Sequence, residues 1–153
     1  MAIFFLDSSA IAKAYIVEQG SVWIRSLLNP GAGNELNVSV VAGAEVISAI
    51  IRRRRTGSLD AIASAAAIQE FRDDWQFLYN HVAIDEQLIE RAMSLVERYE
   101  LRAYDSVQLA AALTLHDRCR SVGINIALVS ADTELNTVAT AEGLHVENPN
   151  LHP

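Results

Sequence analysis

Apolar residues along the chain fall into two rhythms that alternate: short, nearly continuous runs, and longer stretches with an apolar position every three or four residues. The short runs are AIFFL at 2–6, the alternating ELNVSV at 35–40, HVAI at 81–84, INIALVS from Ile124 and LHVE at 144–147. Runs of this length read as strands. Between them the three-to-four spacing predicts helices over 8–18, 21–29, 41–55, 58–79, 85–99, 105–121 and 133–142, with Gly20, Pro30 and Gly57 at the breaks. Strands that alternate with helices imply a parallel sheet covered on both faces. No repeat, low-complexity tract or linker rich in Pro, Gly or Ser divides the sequence, so residues 1–153 are expected to form a single domain.

Composition narrows the partners. About half of the 153 residues are hydrophobic, as in a globular protein with a real core, and the formal net charge is −7. That balance excludes a generally basic protein that coats nucleic acid, although local patches remain open. Lys13 is the only lysine against eleven arginines, and Cys119 is the only cysteine, so there is neither an internal disulfide nor a thiolate zinc cage. Asp7 stops the first apolar run too early for a secretory signal, and no run approaches the roughly 20 apolar residues of a spanning helix. A soluble, cytoplasmic protein is the expectation.

The candidate chemistry lies in the acids. Asp7 follows the strand FFL and Asp132 follows ALVS. Ligands of open parallel sheets sit beyond the carboxyl ends of the strands, so two such carboxylates meet if their strands are neighbours. N-capping explains either acid alone. Glu45 is harder to explain structurally, because it sits on the apolar helix VVAGAEVISAII. A buried carboxylate without a partner costs several kcal/mol or loses its charge, so an arginine, a shared proton or a metal ion is expected beside it. Asp105 and Gln108, in LRAYDSVQLAAAL, have the spacing of a capping box. Taken together, the four acids suggest a common pocket whose repulsion a hard divalent cation would relieve, with magnesium or manganese the natural occupant.

These residues resemble the PIN-domain ribonucleases and, among them, the VapC toxins of toxin–antitoxin pairs. The resemblance rests on FFLDSSAIAKAY, on Glu45 in AEVISAI, on Asp105 in LRAYDSVQLAAAL and on Asp132 in LVSADTELNTVATAEGLHV, and it extends from Ile3 to about Pro149. It implies a three-layer α/β/α sandwich around a parallel sheet of about five strands. It also implies an acidic site of Asp7, Glu45, Asp105 and Asp132, with Asp7 and Asp105 as direct metal ligands and Ser9 and Ser130 supporting the acids. The implied activity is magnesium- or manganese-assisted hydrolysis of RNA, leaving a 5′-phosphate and a 3′-hydroxyl. A small antitoxin that places a basic side chain near the acids, and a homodimer, are the implied partners.

Other features carry less. Arg52, Arg53, Arg54 and Arg55 could track phosphates or simply end a solvated helix, and Arg102 could contact RNA or form an ion pair. His81, His116, His145 and His152 show no paired-ligand spacing, and Trp23, Trp75 and Phe71 fit core or interface positions. The apolar faces of 21–28 and 41–51 are candidates for a dimer contact. A haloacid-dehalogenase-like phosphatase would want a second aspartate where Ser9 stands, and a receiver domain would want a lysine after a late strand. A housekeeping PIN ribonuclease without an antitoxin and a catalytically degenerate PIN-like binding module are the remaining alternatives.

Overall fold

The computed structural model describes residues 1–152. Its strands are β1 (Ile3–Leu6), β2 (Glu35–Ser39), β3 (Asn80–Val82), β4 (Ala127–Val129) and β5 (His145–Glu147). Its helices are α1 (Ser8–Tyr15), α2 (Ser21–Leu28), α3 (Ala42–Arg55), α4 (Ala61–Phe77), α5 (Glu86–Tyr99), α6 (Ala103–Arg120) and α7 (Thr133–Ala141), with short 3-10 turns at Pro30–Ala32 and Pro149–Leu151. All strand pairs are parallel, in the order β3-β2-β1-β4-β5.

Alternation along the strands divides the interior into two cores. Leu6, Leu36, Val38 and Val129 face one side, against Ile11 of α1, Ile24 of α2, Val46 and Ile50 of α3 and Phe71 of α4. Phe5 and Leu128 face the other side, against Leu95 of α5, Leu109 and Leu113 of α6 and Leu135 of α7. The result is the expected α/β/α sandwich. Burying a Leu, Ile or Phe side chain contributes roughly 1.5–3 kcal/mol, so both faces of the sheet are held by apolar packing. The faces of 21–28 and 41–51 considered for a dimer contact turn Ile24, Leu28, Val46 and Ile50 into this core, and of α2 only Val22 is a large apolar side chain left exposed.

Several boundaries move for local reasons. Helix α4 starts at Ala61 rather than Ser58 because Asp60 caps it, accepting from Ala63 N at 2.7 Å. Strand β4 starts at Ala127 rather than Ile124, since Ile124 N still donates to Cys119 O at 2.9 Å in the turn that ends α6. Helix α6 starts two residues earlier than its spacing predicts, with Arg102 as N-cap and no side-chain cap bond. Asp105 is therefore its third residue, and the Asp105–Gln108 capping box does not form. Gly20 is required where the chain enters α2: its φ is +85°, and a Cβ there would lie 2.3 Å from the Pro149 carbonyl oxygen. Among the described residues no helix is long and apolar enough to cross a membrane.

Candidate active-site groove

Strands β1 and β4 are neighbours, in register at Leu6 and Val129, so the chain leaves the sheet at the same level in both. Connections from β1 and β4 run to opposite sides of the sheet order, which opens a crevice at their carboxyl ends. Asp7 sits at this point, with its backbone N–H bound to Val129 O at 3.0 Å. Its side chain is buried and caps α1, with Oδ2 accepting from Ser9 N at 3.2 Å, Ser9 Oγ at 2.5 Å and Ser130 Oγ at 3.3 Å. Ser9 Oγ in turn accepts from Ala131 N at 3.0 Å, tying the start of α1 to the loop after β4. Asp132 caps α7 through Oδ1 and Leu135 N at 3.0 Å, and its own N–H donates to Ser130 Oγ at 3.1 Å. Capping and membership of the groove thus coexist at both aspartates, each using only part of its carboxylate for the cap.

Glu45 and Asp105 arrive from helices on opposite faces of the sheet. Glu45, in the first turn of α3, is half-buried, and its partner is the amide of Gln108, whose Nε2 donates to Oε1 at 2.7 Å. No arginine fills that role. Gln108 is fully buried on α6, and its own Oε1 has no hydrogen-bond partner. Asp105, one turn before it, has no hydrogen-bond donor on its carboxylate among the described residues.

Burial and mutual repulsion act on the acids in the same direction. Desolvation raises the pKa of Asp7, partly opposed by the Ser9 hydrogen bonds, while the charge of Asp132 adds to the rise. Desolvation also raises Glu45, opposed by hydrogen bonds from Gln108 and Ser8, with Asp7 and Asp105 repelling its charge. Asp105 is pushed up to about 6 by desolvation first, then by Asp132 and Asp7, despite the opposing charge of Arg102. Burial first and mutual repulsion second hold three acids above their ordinary range, and the repulsive part is the condition a bound cation relieves.

All four acids line one groove of about 810 Å³. Glu45, Ser48, Ala49 and Arg52 follow the helical repeat of α3 along one wall, and Ser9, Lys13 and Ile16 follow that of α1 along another. Seven residues of helix place Arg52 about 10 Å along the axis from Glu45. At that far end Lys13 and Arg53 share the one carboxylate of Glu18, at 3.0 and 2.5 Å, which offsets half of their combined charge. Arg52 and Arg102 also line the groove and make no ion pair among the described residues, whereas Arg54 and Arg55 lie outside it.

The donor chemistry fits a hard cation. Every candidate ligand is a carboxylate oxygen; Asp105 has no competing donor, and Asp132 uses only Oδ1 for its cap. Among the described residues, however, no three His, Cys, Asp or Glu side chains converge closely enough to hold a metal ion. Magnesium does not require such a cage, because it keeps several waters and takes one or two carboxylates.

Three residues near the acids escaped the sequence reading of the site. Gln108 was visible only as half of a capping box, although a buried amide on an apolar helix is the same anomaly that exposed Glu45. Asn136 supports the loop after β4 by donating to Ser130 O at 2.8 Å, and no pattern signals it. Tyr104, beside Asp105, lines the groove and is 64% exposed. The histidines lie outside the groove: His81 packs on Trp75, His116 is buried, His152 stacks on Trp23, and Glu147 sits between His145 and His152.

Known structures resemble the chain along nearly all of its length. A toxin–antitoxin complex from Klebsiella pneumoniae aligns at 18% identity over 97% of this chain and 98% of the other, with a TM-score of 0.61. FitAcB from Neisseria gonorrhoeae aligns at 17% identity over 98% and 99%, with a TM-score of 0.64. VapC20 from Mycobacterium tuberculosis, described as a sarcin-ricin loop cleaving toxin, aligns at 17% identity over 92% and 95%, with a TM-score of 0.59. No curated protein matches the sequence. The family profile described as PIN domain matches residues 4–141, which span all four acids, and the chain belongs to the PIN-domain family.

Proposed function

We propose that this protein is a magnesium- or manganese-dependent endoribonuclease toxin that hydrolyses RNA phosphodiester bonds and is inhibited by a small cognate antitoxin. The observation that carries the reading is the meeting of Asp7, Glu45, Asp105 and Asp132 on one groove at the β1/β4 crevice. The toxin assignment is supported by the likeness to structures described as a toxin–antitoxin complex and as a sarcin-ricin loop cleaving toxin.

In this reading Asp7 and Asp105 hold the cation directly, and Glu45 and Asp132 complete the acidic set. A bound magnesium or manganese ion supplies a more acidic water and charge compensation at the leaving oxygen. Ser9 and Ser130 fix the orientation of Asp7 by donating to its Oδ2. Gln108 fixes Glu45 in the same way. Arg52 and Arg102 offer unpaired guanidinium groups along the groove for phosphates on either side of the scissile bond. No side-chain nucleophile is needed, since water attacks in line and the products carry a 5′-phosphate and a 3′-hydroxyl. An antitoxin that places a cationic side chain among the acids would compete with the metal and block the groove, as charge complementarity favours. A homodimer is the proposed assembly.

The test is cleavage of end-labelled tRNA and ribosomal RNA fragments by the antitoxin-free protein, with magnesium or manganese, then with chelator, and beside D105N. Cleavage that requires both the metal and Asp105 supports the reading. A second reading, a catalytically degenerate PIN-like binding module, is favoured by the lack of a three-ligand cluster. Titration calorimetry with manganese separates the two: no heat of binding to the folded protein replaces the nuclease by the binding module.

A further inference from the structure

We propose that Tyr104 is a stacking platform for an unpaired nucleobase next to the scissile phosphate. The inference rests on the ribonuclease reading above and adds to it a residue that positions the substrate. Two of the four tyrosines, Tyr15 and Tyr79, are buried and share a hydrogen bond, and Tyr99 is bonded to Glu142. Tyr104 differs from all three. It is 64% exposed, belongs to neither core cluster, and has no hydrogen bond or aromatic neighbour among the described residues. Of the exposed large aromatic side chains, Phe77 lies away from the acids, and Tyr104 alone lines their groove.

Its position suits the task. Tyr104 is the second residue of α6, adjacent to Asp105 and two residues from the exposed Arg102, and the helix behind it is fixed by the buried Ser106, Gln108 and Leu109. A ring on a rigid helix start presents its face without ordering a loop. Ala44 and Ser48, small and exposed on α3, line the same groove and leave room for a sugar and base. Every base has a π face, so stacking tolerates sequence, but it requires a base that is splayed out of a helix. A duplex offers no such face. With Arg102 near the phosphate and Tyr104 under the adjoining base, the acids are presented with a phosphodiester held on one side.

Binding of fluorescein-labelled hexaadenylate, read by anisotropy in the D105N background so that cleavage does not intervene, tests the proposal. Y104A is expected to weaken binding about tenfold, while Y104F and Y104W stay within about twofold of the tyrosine. The same hexamer with abasic sugars should bind weakly, and equally with and without Y104A. Equal affinity of Y104A for hexaadenylate, an equal loss on the abasic strand, or no binding by any variant overturns the inference. So does a change in oligomeric state on sedimentation without a change in RNA affinity, which would place Tyr104 in a protein contact. The two readings can fail separately. Wild-type cleavage with an unchanged kcat/KM in Y104A removes the stacking platform alone. RNA held through Tyr104 by a protein that never cleaves removes the nuclease alone.

Discussion

Replacing Asp105 by Asn should abolish cleavage and at the same time stabilise the metal-free protein. Its carboxylate caps no helix and has no hydrogen-bond donor, and its pKa is raised from 3.8 to about 6 by burial and by the charges of Asp132 and Asp7. At about 1.4 kcal/mol for each tenfold change in acidity, a rise of that size corresponds to about 3 kcal/mol of destabilisation at neutral pH. Asp105 is only partly buried, so solvent screening reduces the figure to roughly 1–1.5 kcal/mol. The sign follows from linkage: an acid whose folded pKa exceeds its unfolded pKa carries its full penalty above pH 6 and none below about pH 3.8. D105N should therefore raise Tm by about 3–5 °C at pH 7.5 in chelator, as expected for a chain of this size, and the gain should vanish near pH 3.5. Urea denaturation with both variants, at both pH values, gives the same comparison at constant temperature. A D105N variant less stable than wild type at pH 7.5, or a gain that persists unchanged at pH 3.5, would refute the claim that burial and repulsion penalise the Asp105 carboxylate.

S9A removes the donor to Asp7 and the acceptor of Ala131 N together, and it should cost about 1–3 kcal/mol in urea denaturation as well as weakening metal binding. Q108L removes the donor to Glu45 but also an unpartnered buried oxygen, so stability should change by less than about 1 kcal/mol while half-saturating manganese rises about tenfold or more. R52A should weaken RNA binding and reduce its logarithmic salt slope by about 1, whereas R54A, outside the groove, should leave both unchanged.

Strands and helices were legible because each left its own signature. Runs of four to seven residues, apolar or alternating, read as strands of a covered sheet, and the spacing of GAEVISAIIRRRR reads as a helix. Sheet order was not legible, since nothing local to FFL or ALV says that they are partners. The acids stood out by conflict with their settings, Glu45 above all. Asp105 was ambiguous because the capping-box spacing, three residues, is also the spacing at which two side chains share one helix face; the helix starts at Ala103, so Asp105 lines the groove and Gln108, buried beneath it, bonds Glu45 instead of capping. The arginine run misled in part, because four consecutive residues on a helix point in four directions. Only Arg52 and Arg53 reach the groove, and Arg53 is engaged by Glu18.

The acids divide by what they give the fold. Asp7 and Asp132 terminate helices with one carboxylate oxygen each, a role in which asparagine is nearly equivalent, so selection for a cap alone would not distinguish the two residue types. Asp105 gives the fold nothing and is held at a cost, and Glu45 is held half-buried through a glutamine whose own carbonyl is left unpartnered. A sequence optimised for stability would replace both, at Asp105 by an amide and at the Glu45–Gln108 pair by apolar residues. In the proposed reading, these two acids beside two capping aspartates, in a groove also lined by Arg52 and Arg102, leave a charge that a cation, alone or with a phosphate-bearing strand, or the basic side chain of an inhibitor would stabilise. The inhibitor's side chain would compete with the cation for this field, whereas the strand would bind together with the cation. Each should therefore raise the unfolding temperature of wild type and do so by a smaller amount in D105N.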